Sequence, residues 1–544
     1  MNLKNYHVFL VSFFLIVIHS YGQDTKNYLT LEQIQQNLQN LTKANQGNLS
    51  SIGTSRGGRD LWVAQFGADN QPAILFVSGL DGNHPAGVQS NFLWMQKLVL
   101  SPNFKTLIAN KTAYFLLVGN PDAYVAYFQK LKQEKRGNDF ASDDNRNGVI
   151  GDDPLEDLNK DGMITLMRVE DASGNYIIDA EDDRLMVLAD ASKNQVGTHK
   201  LFTEGIDNNK NGIFNEDPSD GVIIDKNFAF DYPVFEKGSG IYAVSEPETR
   251  AIMDFVMSKP NIHSVFHFAL QNNLSEAYKY DVKTATQRIV RSWLEKDVKV
   301  QEQVSKGFND SYKTKETTKL AIHKGSFSAT MYYHSGKFSF AHPGWYPNIA
   351  KDTTKGKDAK MEKKSESAEK IFLKWMDQEK LNSQFINWTA VNHPDFPGQK
   401  VEVGGIAPYA MWNPPFSYLE KSIEESSVFF LKYFEWLPTT LITNQKVDKL
   451  DNNLFRLTVT ITNKGLLPSY AELGDKVRFT SKVKTELVLQ GNQKRIAGKK
   501  IDLHASLQPN ESFELTWLVQ GSGKITIQSG CATTGVSNIT LDLK

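Results

Sequence analysis

An apolar run, Ala73-Ile74-Leu75-Phe76-Val77, leads into Gly79-Leu80-Asp81-Gly82-Asn83-His84-Pro85-Ala86-Gly87, and an apolar-periodic segment continues from Val88 to Val99. The order is strand, tight glycine turn, helix. In α/β folds the carboxyl end of a strand opens onto the crevice where ligands bind, so Asp81 and His84 are candidate functional residues. Other strand-like runs, Ala113 to Val118 and Ile262 to Phe268, alternate with helical patterns. That alternation predicts an α/β domain with a mostly parallel sheet flanked by helices.

At 544 residues the chain is long enough for two or three domains. Its formal net charge of -1 supplies no basic field for nucleic acid, which is excluded as a partner. The N-terminus reads as an export signal spanning residues 1–22. Lys4 gives a positive start, Val8 to Ile18 is apolar but too short to cross a bilayer, and Ser20-Tyr21-Gly22 offers small residues for cleavage. The expectation is a secreted or periplasmic protein beginning at Gln23, with no membrane span after signal removal. One cysteine, Cys531, rules out an intrachain disulfide.

A helix is expected from Tyr28 to about Asn48. A hairpin follows, formed by Ser51-Ile52-Gly53 and Leu61 to Phe66 around the Arg56-Gly57-Gly58 turn. Ser245 is the expected N-cap of a helix running through Glu246-Pro247-Glu248, and Ser328 to Phe340 is read as extended. Lys351 to Lys370 is a solvated, charge-rich stretch before Ile371-Phe372-Leu373. Near Thr440 the pattern changes to short alternating runs such as Phe455 to Ile461, bounded by Asn, Gly and Ser. This predicts an all-β sandwich over 437–544, after a main domain over 23–436.

Within the main domain, 136–220 reads as an acidic insertion with an internal repeat. Asp143-Asp144-Asn145-Arg146-Asn147-Gly148 leads to Asp152-Asp153-Pro154, and Asp207-Asn208-Asn209-Lys210-Asn211-Gly212 leads to Glu216-Asp217-Pro218 in the same register. A partial copy runs from Asp157 to Gly162. Side-chain oxygens at alternate positions before a glycine turn suit a hard cation, so Asp143, Asn145, Asn147, Asp153, Asp207, Asn209, Asn211 and Asp217 are expected calcium ligands. No strong helical patterns flank these loops, so they are not EF-hands.

The Gly79–Gly87 stretch resembles the first metal motif of the carboxypeptidase A-like zinc carboxypeptidases, G-x-H-G-x-E-P-x-G. Asn120-Pro121-Asp122, Gly221 to Phe228 and Ser245 to Thr249 are similar to further motifs of that family, and the resemblance spans about residues 28 to 435. It implies zinc, a peptide substrate and hydrolysis of C-terminal peptide bonds. Carried over residue by residue, the metal ligands fall on Asp81, His84 and His267, the last fitting its column better than His263. The family's His and Glu columns thus hold Asp and His, yet two imidazoles and a carboxylate remain a usual zinc set, and one that also suits ferrous iron. The substrate-carboxylate columns hold Asp225 and Lys226 in place of Asn and Arg, and a lysine is a point charge where an arginine is a bidentate fork. Arg136 occupies the oxyanion-stabilising column. The general-base Glu falls on Pro343, leaving His342 and Glu402 as candidate bases.

Two functions follow. One is a degenerate member that holds a peptide or cell-wall peptide without cutting it. The other is an active metallopeptidase with a rearranged Asp/His/His site.

Overall fold

Along Ala73 to Ser78 every side chain is buried, but successive residues enter different cores: Ile74 and Phe76 one, Ala73, Leu75 and Val77 the other. A strand covered on both faces belongs in the middle of a sheet. The computed structural model describes residues 27–141, 148–151, 153–215, 221–314, 318–349, 366–451, 453–477 and 479–544.

The chain opens with α1 (Leu31–Ala44), closed at its start by a Thr30–Gln33 capping box. Next come β1 (Asn48–Thr54), β2 (Asp60–Phe66), β3 (Ala73–Ser78), α2 (Pro85–Leu100), α3 (Phe104–Ala109), β4 (Thr112–Leu116) and α4 (Pro121–Ala126). The insertion carries β5 (Leu166–Glu170), β6 (Tyr176–Ile178), β7 (Met186–Leu188) and β8 (His199–Thr203). Then follow α5 (Pro247–Ser258), β9 (Ile262–Phe268), α6 (Val282–Ala285), α7 (Glu295–Ser311), α8 (Phe327–Tyr333), β10 (Phe338–His342), α9 (Ala368–Glu379), β11 (Phe385–Val391), β12 (Val401–Ile406) and α10 (Phe416–Trp436).

The main sheet runs β1-β2-β4-β3-β9-β10. β4, β3, β9 and β10 are parallel, and the expected β1–β2 hairpin adds an antiparallel edge. Apolar residues of α1, α2, α7 and α10 cover one face, and those of α5 and α8 the other. From β3 the chain moves to β4 on one side, and from β9 to β10 on the other. The β3–β9 boundary is therefore the topological switch point, where α/β sheets place their crevice.

Three local expectations are corrected. Helix α5 starts at Pro247 with Glu246 in the cap position, because proline is pre-set for the first helical turn. Residues Phe327–Tyr333 are helix α8, not extended; Ser326 caps it through its side chain, and Phe327 and Met331, one turn apart, share the α5-side core. The insertion is more than loops: a second, antiparallel sheet runs β11-β12-β5-β8-β6-β7, pairing Arg168 with Glu402 across strands far apart in sequence.

After α10 come β13 (Thr440–Asp451), β14 (Leu454–Asn463), β15 (Val483–Val488), β16 (Lys494–Ala497), β17 (Ile501–His504), β18 (Ser512–Gln520), β19 (Gly523–Cys531) and β20 (Gly535–Leu543). They form two four-stranded sheets, β13-β14-β18-β16 and β17-β15-β19-β20, around one core. Phe455, Leu457, Val459 and Ile461 alternate into it, as a two-layer β fold requires. Cys531 is a buried free thiol. Among the described residues no helix is long and apolar enough to cross a membrane.

The seam between α/β and all-β parts is fastened by buried polar groups. Asp297 of α7 accepts the Glu472 and Leu473 N–H groups at 2.7 and 3.2 Å and the Tyr332 hydroxyl at 2.8 Å. His263 Nε2 meets the Pro468 carbonyl at 2.9 Å. Burial pushes the Asp297 carboxyl up to about 6 from an ordinary 3.8. A carboxyl with a raised folded pKa gives stability that is full below the unfolded value and lost as pH rises through the folded one. Urea unfolding of the wild type should therefore weaken between about pH 4 and 6 by up to about 3 kcal/mol relative to Asp297→Asn. Parallel pH profiles for the two proteins would contradict this.

Candidate functional site

The turn after β3 is built by glycine. Gly79 has φ +66°, and a Cβ there would meet Val88 Cγ2 at 2.9 Å. His84 occupies the N-cap position of α2 without capping it. The Ala86 N–H instead bonds Asn413 Oδ1 at 2.8 Å, and Asn413 Nδ2 holds the Asn83 carbonyl at 2.9 Å. This leaves the imidazole of His84 free of the capping role. It packs over Gly87, where a Cβ would meet its Nδ1 at 2.7 Å, and bonds the Pro343 carbonyl. Burial lowers the His84 pKa to about 4, so the ring is neutral at pH 7.

Asp81 is almost wholly buried, and both its oxygens face Arg136. Arg136 Nε donates to Oδ1 at 3.1 Å, and Nη2 closes a bidentate pair on Oδ2. The guanidinium expected to stabilise an oxyanion is thus engaged with the expected first metal ligand.

His267, on β9, is buried beside Asp81 and His84 on the α5–α8 face. Its Nδ1 lies 3.1 Å from Ser328 Oγ, Phe327 packs on its ring, and Nε2 has no hydrogen-bond partner. Burial holds the ring below its ordinary pKa. Asp225 is turned inward rather than displayed beside Lys226. Oδ1 accepts the Phe327 N–H at 2.9 Å, and Oδ2 accepts from Gln271 and lies 3.3 Å from His323 Nε2. Burial opposes the charge of both partners, but the imidazoles of His267 and His323 outweigh it for Asp225, whose carboxyl lies below its usual range. The bond to Asp225 likewise raises His323 above its ordinary pKa. Lys226 is half-buried in the 3-10 turn Ile224–Lys226.

Neither candidate base faces Asp81 and His267 from the same side of the sheet. His342 pairs in register with Phe268, one residue past His267, so its ring lies on the opposite face of the sheet. It packs there on Phe308, Tyr312 and Tyr346, and burial pushes it down to about 3, too low for a base near neutrality. Glu402 belongs to β12 of the second sheet, its carboxylate tied to Arg168 at 2.9 Å and Lys400 at 3.1 Å. Pro343 contributes only its backbone carbonyl.

Of the expected calcium ligands, Asp143, Asn145, Asn147 and Asp217 lie outside the described residues. Asp207 accepts the Asn211 and Gly212 N–H groups at 3.0 and 2.7 Å, and Asn209 and Asn211 accept from the backbone two residues on. The partial copy repeats this turn, with Asp157 accepting from Asp161 and Gly162 at 3.1 and 2.7 Å. Asp153 binds the Asn208 N–H at 2.7 Å, joining the first loop to the second.

Sequence reasoning missed His323, Gln271 and Glu134. Glu134 accepts from Asn83 Nδ2 at 2.7 Å beside Asp81, and burial, with a smaller push from the Asp81 charge, raises its carboxyl above the usual range. None of the three stands in a motif; each reaches the site through a loop whose path depends on the whole fold.

A zinc carboxypeptidase family model matches residues 32–348, and a domain of unknown function matches 440–542. The chain belongs to the zinc carboxypeptidase family. Among solved structures it is similar to carboxypeptidase A from Helicoverpa armigera, with 15% identity, 58% of this chain and 63% of that chain covered, and a TM-score of 0.37. It thus spans less than two thirds of that relative's length. Bovine thrombin-activatable fibrinolysis inhibitor, in complex with tick carboxypeptidase inhibitor, is 14% identical over 58% of this chain and 86% of that one, with a TM-score of 0.37. No curated protein matches the chain significantly in sequence.

The family implies zinc, but the donors as arranged do not fit it. Both Asp81 oxygens are taken by Arg136, and among the described residues no three His, Cys, Asp or Glu side chains are grouped to hold a metal.

Two outcomes follow from this geometry. Arg136→Ala strands a buried carboxylate and should cost about 2 kcal/mol in urea unfolding, below a fully buried pair because the guanidinium is partly exposed. Adding Asp81→Asn should recover much of that loss, whereas additive losses would mean the pair is not coupled. In a histidine NMR titration His84 should stay neutral from pH 5 to 8, while His323 titrates above its ordinary value and falls back in Asp225→Asn. A His84 midpoint near 6.5 would be inconsistent with its burial.

Proposed function

We propose that this chain is an exported, non-hydrolytic member of the zinc carboxypeptidase family that binds a peptide or cell-wall peptide fragment. The observation that carries the reading is the Asp81–Arg136 pair. It joins the column of a family ligand to the column of the family's oxyanion group, so neither is available for the family reaction. Proline at the general-base column, the placement of His342 on the opposite face of the sheet and the distant sheet that carries Glu402 support the same reading, since general acid–base help is worth about 10²–10⁴-fold. Export is supported by the apolar run Val8 to Ile18 before Ser20-Tyr21-Gly22, which lies outside the described residues.

Calcium belongs to this proposal as the cation of the insertion loops. Two of the copies share the same oxygen-lined turn before a glycine at positive φ, Gly162 at +86° and Gly212 at +91°. A second reading, an active hydrolase using Asp81, His84 and His267, is favoured by one observation, the unpartnered Nε2 of His267.

Metal content of the mature chain, wild type beside His267→Ala, after dialysis against calcium without chelator, separates the readings. The expected result is calcium without stoichiometric zinc or iron in either protein. Stoichiometric zinc that disappears in His267→Ala would overturn the non-hydrolytic reading.

A further inference from the structure

Beyond the Asp225–His323 pair lies a cleft of about 420 Å³ that the family motifs do not reach. One wall is the stacked pair Phe230 and Tyr333, with ring centroids 4.0 Å apart. Lys279, Arg291 and Lys324 line it against Asp231 and Asp281, while His323 is turned to Asp225. Arg291 is held by Asp231 at 3.3 Å, while Lys279 and Lys324, the latter 3.9 Å from the exposed Glu236, are point charges in solvent at its edge.

The segment leaving this cleft is an apolar knuckle. Val234, Phe235, Ile241 and Tyr242 are 59, 96, 71 and 56% exposed. Such a cluster would ordinarily fold inward. Here the backbone prevents it. Buried Asn227 donates to the Ser239 and Tyr242 carbonyls at 2.8 and 3.0 Å, and the Tyr232 hydroxyl donates to the Gly240 carbonyl at 2.7 Å. Phe235 and Val244 are held at φ +64° and +61°, a region costly for any side chain and most of all for a β-branched one. Backbone strain of this kind collects at ligand clamps. Knuckle and cleft are continuous: Glu236 lies 3.9 Å from Lys324, and Gly325 packs so closely under Pro233 that a Cβ would meet its Cδ at 2.7 Å.

We propose that cleft and knuckle form a second recognition site for an acidic peptide segment, an apolar side chain resting on Phe235 and a side-chain carboxylate meeting Lys279 and Lys324. This rests on the peptide-binding reading and names the class of peptide. Flexible lysines at the edge of an open cleft suit side-chain carboxylates of a passing chain, whereas a terminus is gripped by a fixed fork.

The test is fluorescence anisotropy on the full mature chain with three labelled peptides. The first is Ala-Leu-Phe-Asp-Ala amide, the second its Asn counterpart, and the third Ala-Leu-Phe-Asn-Ala with a free C-terminus. The aspartyl amide should bind tightest, and both Phe235→Ser and the double variant Lys279→Gln/Lys324→Gln should weaken it about tenfold. All three substituted side chains are exposed, so the fold is retained. Binding that ignores these variants but is lost in Lys226→Gln, or that requires the free C-terminus, overturns the second site and leaves peptide binding standing. Cleavage of a probe whose binding still depends on Phe235 removes the non-hydrolytic reading and keeps the site. No binding of any probe overturns both.

Discussion

The closed pair between Asp81 and Arg136 governs the crevice at the end of the main sheet. A carboxylate this deeply buried must be neutralised, protonated or matched by a cation. The chain supplies its own cation, in a fork that saturates both oxygens. The neighbouring groups follow suit. His84 is neutral through burial, burial likewise holds His267 below its ordinary pKa, and Asp225 finds its counter-charge in His323. The charged side chains of the crevice are matched pairwise, Asp81 by Arg136 and Asp225 by His323.

The frame that carries this crevice is legible in the sequence because its signals are local. The apolar run of β3, the glycine turn and the periodicity of α2 lie within one short stretch, and β9 spans the residues its pattern predicts. The alternation of β14 likewise announces an all-β part. What escaped is non-local. β5 pairs with β12 across more than half the main domain, so the repeat of the insertion was legible and its sheet was not. Asp81 and Arg136 belong to different motifs, and nothing in either names the other as partner. His342 was lost by parity: one step along a strand turns a side chain to the other face. Phe327–Tyr333 went astray because an aromatic-rich helical turn and a strand share the same composition.

The seam with the C-terminal sheets shows polar groups in a different office. Asp297 accepts the first N–H groups of the 3-10 turn Glu472–Asp475, and His263 reaches a carbonyl of the chain beyond β14. Leu467, Ala471 and Leu473 join the core of the main domain beside them. A hydrophobic contact sets the strength of such a junction, whereas directional bonds set its angle. The all-β part is therefore fixed in orientation and does not swing on a linker.

The Asp81–Arg136 pair also limits what a single substitution in the crevice can do. Replacing Asp81 by histidine would leave Arg136 facing a second imidazole beside His84. Removing Arg136 alone would strand a buried negative charge. Neither single step is neutral. The two side chains are therefore locked to one another: a change at either one alone leaves the other without its counter-charge.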